Sequence, residues 1–350
     1  MTAGPRAGLV VRMIVVFRQG ATEEEIQGAL AHIESLGYTP HLSRGTVKTI
    51  CGVTGDDRAL SEGEFEQLPG VESVLRVLKP YKLASREFHP EDTRVELAGV
   101  RVGQGTFTVI AGPCSVESEE QVEACAALVA RSGLRLLRGG AFKPRSSPYA
   151  FQGLGEEGLR ILAGAARRHG LGVVTEILSE HDVDLVSRYA DVFQVGARNM
   201  QNYALLRALG ESGRPVLLKR SMMGTIEELL LSAEYLMKGG NAAVMLCERG
   251  IRTFETHTRN TLDIAAVPAI KRLSHLPILV DPSHAVGDWH YVAPASLAAL
   301  AAGADGLLVE IHPEPALAKS DGKQTLTFPR FEALLARLRA IAPHLGVEVV

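Results

Sequence analysis

The chain has 350 residues, of which 46% are hydrophobic and 22% are charged, and its formal net charge at pH 7 is −3. This composition is ordinary for a globular protein with a sizeable core. The near-neutral charge provides no basic field for nucleic acid or for a membrane surface, so an anionic ligand would need a local cluster of Arg and Lys. The length suits a barrel of roughly 250 residues plus a module of about 80–100.

The cysteines and the N-terminus indicate a reduced compartment. The four cysteines are scattered and form no C-x-x-C pair: Cys51, Cys114, Cys125 and Cys247. This spacing is not that of a disulfide framework. The apolar run near the N-terminus is interrupted by Arg12, and no stretch reaches the length of a membrane span. We therefore expect a cytoplasmic enzyme.

Residues 1–80 are predicted to form a small ferredoxin-like α+β domain. Its predicted strands are Val10–Phe17, Tyr38–Leu42, Thr46–Val53 and Val71–Leu78, with helices from Thr22 to Gly37 and from Ala59 to Leu68. Thr22 and Glu25 have the spacing of a capping box, and Ile26, Leu30 and Ile33 form an apolar stripe. Modules of this kind bind small molecules or pair with another chain as often as they catalyse a reaction. The sequence of this domain contains no recognisable group of catalytic residues.

A linker is predicted over residues 81–105, with a short hairpin in which Val95–Leu97 pairs with Val100–Val102. From residue 106 to 350, short apolar strands alternate with amphipathic helices. The predicted strands are Phe107–Ala111, Leu134–Leu137, Gly172–Glu176, Val192–Val195, Val216–Leu218, Ala243–Leu246, Ile278–Val280 and Gly306–Val309. Eight such units predict an α/β fold of the (β/α)8 TIM-barrel type. A doubly wound sheet is the alternative, but no Gly-x-Gly-x-x-Gly turn follows the first strand.

One group of residues at the strand ends has metal-ligand chemistry. Cys114 follows the first strand, His284 the seventh and Glu310 the eighth, with Asp321 in the loop beyond. Barrel closure makes these strands neighbours, and their C-terminal ends form the active-site face. A thiolate, an imidazole and two carboxylates suit Mn²⁺, Fe²⁺, Co²⁺ or Zn²⁺ better than Mg²⁺ or Ca²⁺, and such a metal acts as a Lewis acid. Taken alone, a Cys or a His at such a position is more often structural.

A second group at the same strand ends is cationic: Arg138, Lys143, Arg145, Arg198, Lys219, Arg220 and Arg249. Gathering these charges at one face is unfavourable unless polyanions bind there. The group is large enough for two phosphates and one carboxylate, to which Ser146 and Ser147 could add hydroxyl donors.

Longer motifs carry a family resemblance. They are Gly112-Pro113-Cys114-Ser115, RGGAFKPRSSPYAFQGLG from Arg138, Val195-Gly196-Ala197-Arg198, LCERGIRTFE from Leu246, DPSHAVG from Asp281, and Glu310 with Ser320-Asp321-Gly322. With these motifs the chain resembles the 3-deoxy-D-arabino-heptulosonate 7-phosphate (DAHP) synthases, in the subgroup with an N-terminal ferredoxin-like regulatory domain. The resemblance implies a metal-dependent, aldol-type condensation of phosphoenolpyruvate with erythrose 4-phosphate, the first step of the shikimate pathway to aromatic amino acids.

The resemblance also implies roles for individual residues. The metal ligands would be Cys114, His284, Glu310 and Asp321, and Lys143 and Lys219 would join Cys114 and His284 as catalytic residues. Phosphoenolpyruvate would be bound by Arg138, Lys143, Arg198, Lys219 and Arg249, and erythrose 4-phosphate by the segment Lys143, Pro144, Arg145 and Ser146. Ser221 stands where the family has Gly, and this departure weakens the assignment of Arg220.

Two alternative functions are open. A 3-deoxy-octulosonate 8-phosphate synthase would use arabinose 5-phosphate, but that family has an Asn-containing segment where this chain has Lys143-Pro144-Arg145. The second alternative is a non-catalytic ligand sensor, but such a protein would not need the four candidate metal ligands. The family resemblance also implies feedback control through residues 1–80 by an aromatic amino acid, Tyr or Phe, and assembly into a homotetramer or dimer.

Overall fold

The computed structural model describes residues 11–45, 48–54, 62–76, 80–144, 147 and 149–350. The chain divides into two compact units, Met1–Pro80 and Tyr81–Val350. Within the described part, no helix is both long and apolar enough to cross a membrane.

The first unit has the predicted ferredoxin-like order of elements. Its elements are β1 (Val11–Phe17), α1 (Glu23–Ser35), β2 (Thr39–Arg44), β3 (Thr49–Thr54), α2 (Glu62–Glu66) and β4 (Val71–Arg76). The strands form one antiparallel sheet in the order β2-β3-β1-β4. The predicted ends of these elements at residues 10, 46–47, 59–61 and 77–78 lie outside the described residues.

The predicted start of helix α1 is confirmed. The Thr22 hydroxyl accepts a hydrogen bond from the Glu25 N–H at 3.2 Å, and the Glu25 carboxylate accepts one from the Thr22 N–H at 2.8 Å. These two bonds satisfy amide groups that the helix itself leaves without a partner. Ile26 and Ile33 are buried against the sheet as predicted, but Ala29 lies between them and Leu30 is only partly buried.

The second unit is the predicted eight-stranded parallel barrel. Its strands are β7 (Thr106–Gly112), β8 (Leu136–Arg138), β9 (Gly172–Ile177), β10 (Val192–Val195), β11 (Val216–Lys219), β12 (Val244–Glu248), β13 (Ile278–Val280) and β14 (Gly306–Glu310). The barrel closes where β14 pairs with β7. A two-residue strand, β15 (Glu348–Val349), also pairs with the start of β7 and was not predicted.

Helices cover the outside of the barrel. They are α3 (Glu119–Arg131), α4 (Glu156–Arg168), α5 (Val183–Ser187), α6 (Tyr203–Glu211), α7 (Ile226–Lys238), α8 (Ala266–Leu273), α9 (Pro282–Val286), α10 (Trp289–Ala301) and α11 (Phe328–Ile341). Their apolar faces and the outward-facing strand residues form one large core. A smaller core fills the barrel interior, where Ile110, Leu217 and Leu308 meet.

The hairpin predicted before the barrel is part of the barrel interior. It consists of β5 (Val95–Leu97) and β6 (Val100–Val102). Val95, Leu97 and Val102 are buried in the same cluster as the inward-facing strand residues. The hairpin therefore covers one end of the barrel, and the active-site face lies at the other.

His275 makes the stability of the barrel unit depend on pH. Its Nδ1 lies 2.6 Å from the Thr93 hydroxyl, and its Nε2 lies 2.7 Å from the Leu83 carbonyl oxygen. Burial lowers the pKa of His275 below its usual 6.5, with a further contribution from the nearby His89 and Arg86. The unfolded chain therefore binds this proton more readily than the folded barrel, so stability is lost as the pH falls below 6.5.

We expect His275→Gln to flatten this dependence. In the parent, His275 contributes at most about 1.4 kcal/mol per pH unit to the slope of unfolding free energy between pH 6.5 and its lower folded pKa. Urea unfolding of parent and variant at pH 7.5, 6.5 and 5.5 measures the difference in slope, because all other titrating groups are shared. Equal slopes would contradict the assignment.

Candidate active site

The ends of β7 and β8 approach closely at one point of the active-site face. A Cβ on Gly112 would lie 1.9 Å from the Arg138 carbonyl oxygen. No side chain fits there, so glycine is required for this close approach. The contact sets Cys114, two residues beyond Gly112, near the side chain of Arg138 at the end of β8.

Four side chains converge at this face as the sequence predicts. Cys114, His284, Glu310 and Asp321 each offer one ligand atom, and these atoms all lie within 4.8 Å of one another. Cys114 Sγ is 3.4 Å from Asp321 Oδ2, and His284 Nε2 is 3.3 Å from Glu310 Oε1. We call these four residues the four-donor cluster. One thiol, one imidazole and two carboxylates are the donors that divalent transition metals bind.

Asp281 orients the imidazole of His284. Asp281 caps the short helix α9 and accepts hydrogen bonds from the His284 backbone N–H at 2.9 Å and from His284 Nδ1 at 2.7 Å. Nε2 is thereby directed at the cluster, in the carboxylate–histidine arrangement common around protein-bound metals. Burial opposes ionisation of Asp281, but His284 and Lys219 hold the pKa of Asp281 well below its usual range. Asp281 was not assigned a role from the sequence, although its N-cap position three residues before His284 was a usable signal.

The electrostatics of the cluster favour a bound cation. Burial, with the neighbouring Glu310 charge, raises the pKa of Cys114 to about 12. Glu310 is also buried, but His284 and Arg138 lower the pKa of Glu310 to about 2. Carboxylates are thus ionised while the thiol still holds its proton, and a divalent cation supplies the charge that makes thiolate favourable. The donor set fits such an ion.

A cavity of about 400 Å³ opens beside the cluster. Among the described residues, seven cationic side chains line it: Arg138, Lys143, Arg198, Lys219, Arg249, Arg252 and Arg259. The first five are those predicted from the sequence. Pro144 and Ser147 also line the cavity, whereas Arg145 and Ser146, which were predicted to bind the second substrate, lie outside the described residues.

Several of these cations already have polar partners within the site. Arg138 donates to Glu310 Oε1 at 2.6 Å, Lys219 pairs with Asp281, and Lys143 Nζ lies 3.2 Å from both the sulfur and the carbonyl oxygen of Cys114. Arg138 Nε has no hydrogen-bond partner among the described residues.

Arg249 is the clearest case of a buried cation without a counter-charge. It is only 6% exposed, and no described carboxylate forms an ion pair with it. Burial accordingly lowers the pKa of Arg249. Buried charges are normally paired, so Arg249 and the Nε atom of Arg138 indicate a site for an anion.

Arg220 does not belong to this cavity. Its guanidinium donates from Nη1 to Glu248 and to Asp263, both at 2.8 Å, and from Nε to the Gly224 carbonyl oxygen at 2.8 Å. Its inclusion in the cationic group was therefore wrong, because two carboxylates from neighbouring segments already neutralise it. The backbone N–H of Ser221 lies 3.1 Å from Met200 Sδ, in the loop where the sequence departs from the family.

Glu176 and Gln194 are among the cavity residues that were not assigned a role from the sequence. Glu176 lies in β9, and its charge contributes to raising the pKa of Lys143. Gln194 is a buried polar residue in the otherwise apolar strand β10. A lone amide inside an apolar strand is the signal that could have identified Gln194 as a site residue.

Two family models match the chain. The model described as DAHP synthetase I family matches residues 87–344, and that of the DAHP synthase ferredoxin-like domain matches residues 13–79. The chain belongs to the DAHP synthetase I family. This result confirms the resemblance found in the sequence. DAHP synthases are metal-dependent in general, and the four-donor cluster is a candidate metal site.

Relatives of known name agree with the family assignment. The chain is 56% identical to the phospho-2-dehydro-3-deoxyheptonate aldolase of Thermotoga maritima, covering 96% of this chain and 100% of the relative. It is 32% identical to a 2-dehydro-3-deoxyphosphooctonate aldolase of Acidithiobacillus ferrooxidans, covering 71% of this chain and 94% of the relative.

Solved structures agree as well. The crystal structure of the Thermotoga maritima DAHP synthase superimposes with a TM-score of 0.79 at 55% identity, covering 97% of this chain and 100% of that one. A truncated form of the 3-deoxy-D-arabino-heptulosonate 7-phosphate synthase from Thermotoga maritima superimposes with a TM-score of 0.72 at 54% identity, covering 77% of this chain and 98% of that one.

Proposed function

We propose that this chain condenses phosphoenolpyruvate with erythrose 4-phosphate to give DAHP and inorganic phosphate, in a metal-dependent reaction that begins the shikimate pathway. The observation that supports this proposal most strongly is the four-donor cluster beside a cavity lined by cations, in which the buried Arg249 forms no ion pair with a described carboxylate. The cluster suits a Lewis acid, and the free cations suit two anionic substrates. The 56% identity to the Thermotoga maritima aldolase over nearly the whole chain favours the same chemistry.

Cys114, His284, Glu310 and Asp321 would hold the metal, one of Mn²⁺, Fe²⁺, Co²⁺ or Zn²⁺. When bound there, such an ion supplies Lewis acidity to the aldehyde of the second substrate. Arg138 and Lys143 lie beside the cluster and keep its buried negative charges compensated, through the Arg138–Glu310 bond and the Lys143–Cys114 contact.

The reaction joins C3 of phosphoenolpyruvate to the aldehyde carbon of erythrose 4-phosphate. The oxygen of a water molecule adds at C2, and the proton that the water loses balances the proton that the aldehyde oxygen gains. The bond between C2 and the phosphate oxygen then breaks, which releases phosphate. Both substrates are anions that repel each other, so holding them in contact is a large part of the task. We assign phosphoenolpyruvate to Arg138, Lys143, Arg198, Lys219 and Arg249, and erythrose 4-phosphate to the segment Lys143, Pro144, Arg145 and Ser146.

Lys143 and Lys219 provide fixed positive charges within the cavity. Burial favours a neutral Lys143, but the adjacent Cys114 and Glu176 side chains raise the pKa of Lys143 above its usual value, so it remains an ammonium. Lys219 forms an ion pair with Asp281. Asp281 contacts Nδ1 of His284, whereas the other ring nitrogen of His284 faces the four-donor cluster. Preorganised charges of this kind stabilise charge that develops during reaction without a cost of reorganisation.

The choice of aldose tests the proposal. Phosphate release from phosphoenolpyruvate should be fast with erythrose 4-phosphate and at least tenfold slower with arabinose 5-phosphate, both at saturating Mn²⁺. A preference for arabinose 5-phosphate would identify the activity with the octulosonate relatives instead. Release with neither aldose, in the presence of each of the four metals, would favour the non-catalytic sensor.

We also propose that the first unit mediates feedback inhibition by Tyr or Phe. Its match to the DAHP synthase ferredoxin-like domain supports this idea. We expect deletion of residues 1–80 to leave turnover within a fewfold of the full chain and to abolish inhibition, as measured by phosphate release at increasing Tyr or Phe. A truncated relative has been solved as a structure, so the shortened barrel is a reasonable protein to prepare. Inhibition that survives the deletion would contradict the proposal.

The assembly and location of the protein are further proposals. We propose a homotetramer or dimer, which sedimentation at micromolar concentration would test, and a monomer would contradict. A cytoplasmic location suits the four unpaired cysteines and phosphorylated substrates of central metabolism.

A further inference from the structure

Glu310 and Asp321 each use one carboxylate oxygen in the four-donor cluster. Glu310 Oε1 lies 3.3 Å from His284 Nε2, and Asp321 Oδ2 lies 3.4 Å from Cys114 Sγ. The second oxygen of each carboxylate accepts a hydrogen bond from a side chain outside the cluster. Gln324 Nε2 donates to Glu310 Oε2 at 2.6 Å, and Arg259 Nη1 donates to Asp321 Oδ1 at 3.1 Å.

The two outer partners are themselves joined. Arg259 Nη1 also donates to Gln324 Oε1 at 2.9 Å, so a single guanidinium nitrogen connects both carboxylates. Arg259 comes from the loop between β12 and α8, whereas Asp321 and Gln324 lie one turn apart around the 3₁₀ turn Gly322–Gln324. The connection therefore links three segments of the active-site face.

The position of Gln324 requires a side chain that both donates and accepts hydrogen bonds. The Glu310 carboxylate can only accept hydrogen bonds, and the Arg259 guanidinium can only donate them. Gln324 donates to the first and accepts from the second, and it is only 2% exposed. A carboxylate at this position would repel Glu310, and an ammonium would repel Arg259.

The backbone at Asp321 adds a further reason for such support. Asp321 has φ +49°, in the left-handed region that is unfavourable for residues other than glycine. Its carbonyl oxygen accepts a hydrogen bond from the Thr325 hydroxyl at 3.0 Å. A ligand presented from a strained backbone needs contacts that hold it in place.

We propose that Arg259 and Gln324 are positioning residues that occupy the outer oxygens of Asp321 and Glu310, so that each carboxylate presents a single oxygen to the metal. This inference rests on the proposed metal site. Neither residue takes part in the chemical steps of the reaction. Their effect is to set the number and direction of the oxygen ligands, and partners of this kind typically change metal affinity by ten- to a hundredfold.

Metal binding to the full chain tests the inference without any substrate. We expect Gln324→Met and Arg259→Met each to bind Co²⁺ about ten- to a hundredfold more weakly than the parent in competition with a chromophoric chelator. The visible absorption of bound Co²⁺ should also change in both, because a freed carboxylate can bind through two oxygens and raise the coordination number. Arg259 is partly exposed, so Arg259→Met should fold even if the buried Gln324→Met does not.

Asn241→Leu is the matched control. Asn241 is an equally buried amide in the barrel unit that donates to the Leu209 and Arg214 carbonyl oxygens, away from the cluster. This variant should lose stability but keep the Co²⁺ affinity and spectrum of the parent. Parent-like affinity and spectrum in the folded site variants, or an equal loss in Asn241→Leu, would overturn the inference. If the parent itself binds no Co²⁺, the proposed metal site fails and the inference fails with it.

Discussion

Replacing Cys114 with alanine is expected to lower kcat/KM by about a thousandfold or more. The change removes the sulfur from the four-donor cluster and leaves His284, Glu310 and Asp321. Lewis-acid catalysis contributes several kcal/mol, and each 1.36 kcal/mol is a factor of ten in rate. Phosphate release at saturating Mn²⁺, measured together with the metal content of the purified variant, tests both effects in one preparation.

The control for this experiment is Cys51→Ala. Cys51 is also fully buried, but it lies on β3 in the core of the first unit. Burial raises the pKa of Cys51 to about 11, so it is an unreactive thiol in the folded protein. This variant should keep its metal and its turnover. A Cys114→Ala variant that retained one metal per chain and parental activity would contradict the ligand assignment.

Replacing Arg249 with methionine is expected to separate activity from stability. We expect kcat/KM for phosphoenolpyruvate to fall about a hundredfold or more, because truncating one partner of a buried charge pair costs about 2–5 kcal/mol. In the protein without substrate, however, Arg249 forms no ion pair with a described carboxylate. Removing its charge eliminates a desolvation cost, so the free energy of unfolding should stay the same or rise. Urea unfolding without ligands and steady-state kinetics measure the two quantities.

Arg220→Met is the matched control for this prediction. Arg220 is as buried as Arg249 but is paired with Glu248 and Asp263. Its loss leaves Glu248 buried and unpaired, and we expect a destabilisation of about 3–5 kcal/mol. If Arg249→Met were destabilised to the same degree, Arg249 would have a structural role and the anion site would have to be placed elsewhere.

The four-donor cluster could be predicted from the sequence because the barrel topology determines which strand ends lie together. Once β7, β13 and β14 are recognised as neighbouring parallel strands, their C-terminal residues must lie at one face. Cys114, which follows Gly112, and Glu310, at the end of β14, are adjacent because the barrel closes there. Alternation of apolar strands and helices is sufficient to locate these ends to within a residue or two.

The environment of each arginine could not be predicted in the same way. Arg220 and Arg249 both follow apolar strands, so their positions relative to the strands do not distinguish them. The difference arises because Asp263, from the loop after β12, reaches Arg220. The positions of Asp281 and Gln324 relative to the cluster likewise depend on which atom of a side chain faces which partner. The hairpin of β5 and β6 was predicted, but its place inside the barrel end depends on packing between distant segments.

Anomalous diffraction from crystals grown with Mn²⁺ or Co²⁺ would locate the metal. We expect one strong peak per chain, bonded to Cys114 Sγ, His284 Nε2, Glu310 Oε1 and Asp321 Oδ2. A peak bonded to a different set of residues, or no peak at saturating metal, would contradict this prediction.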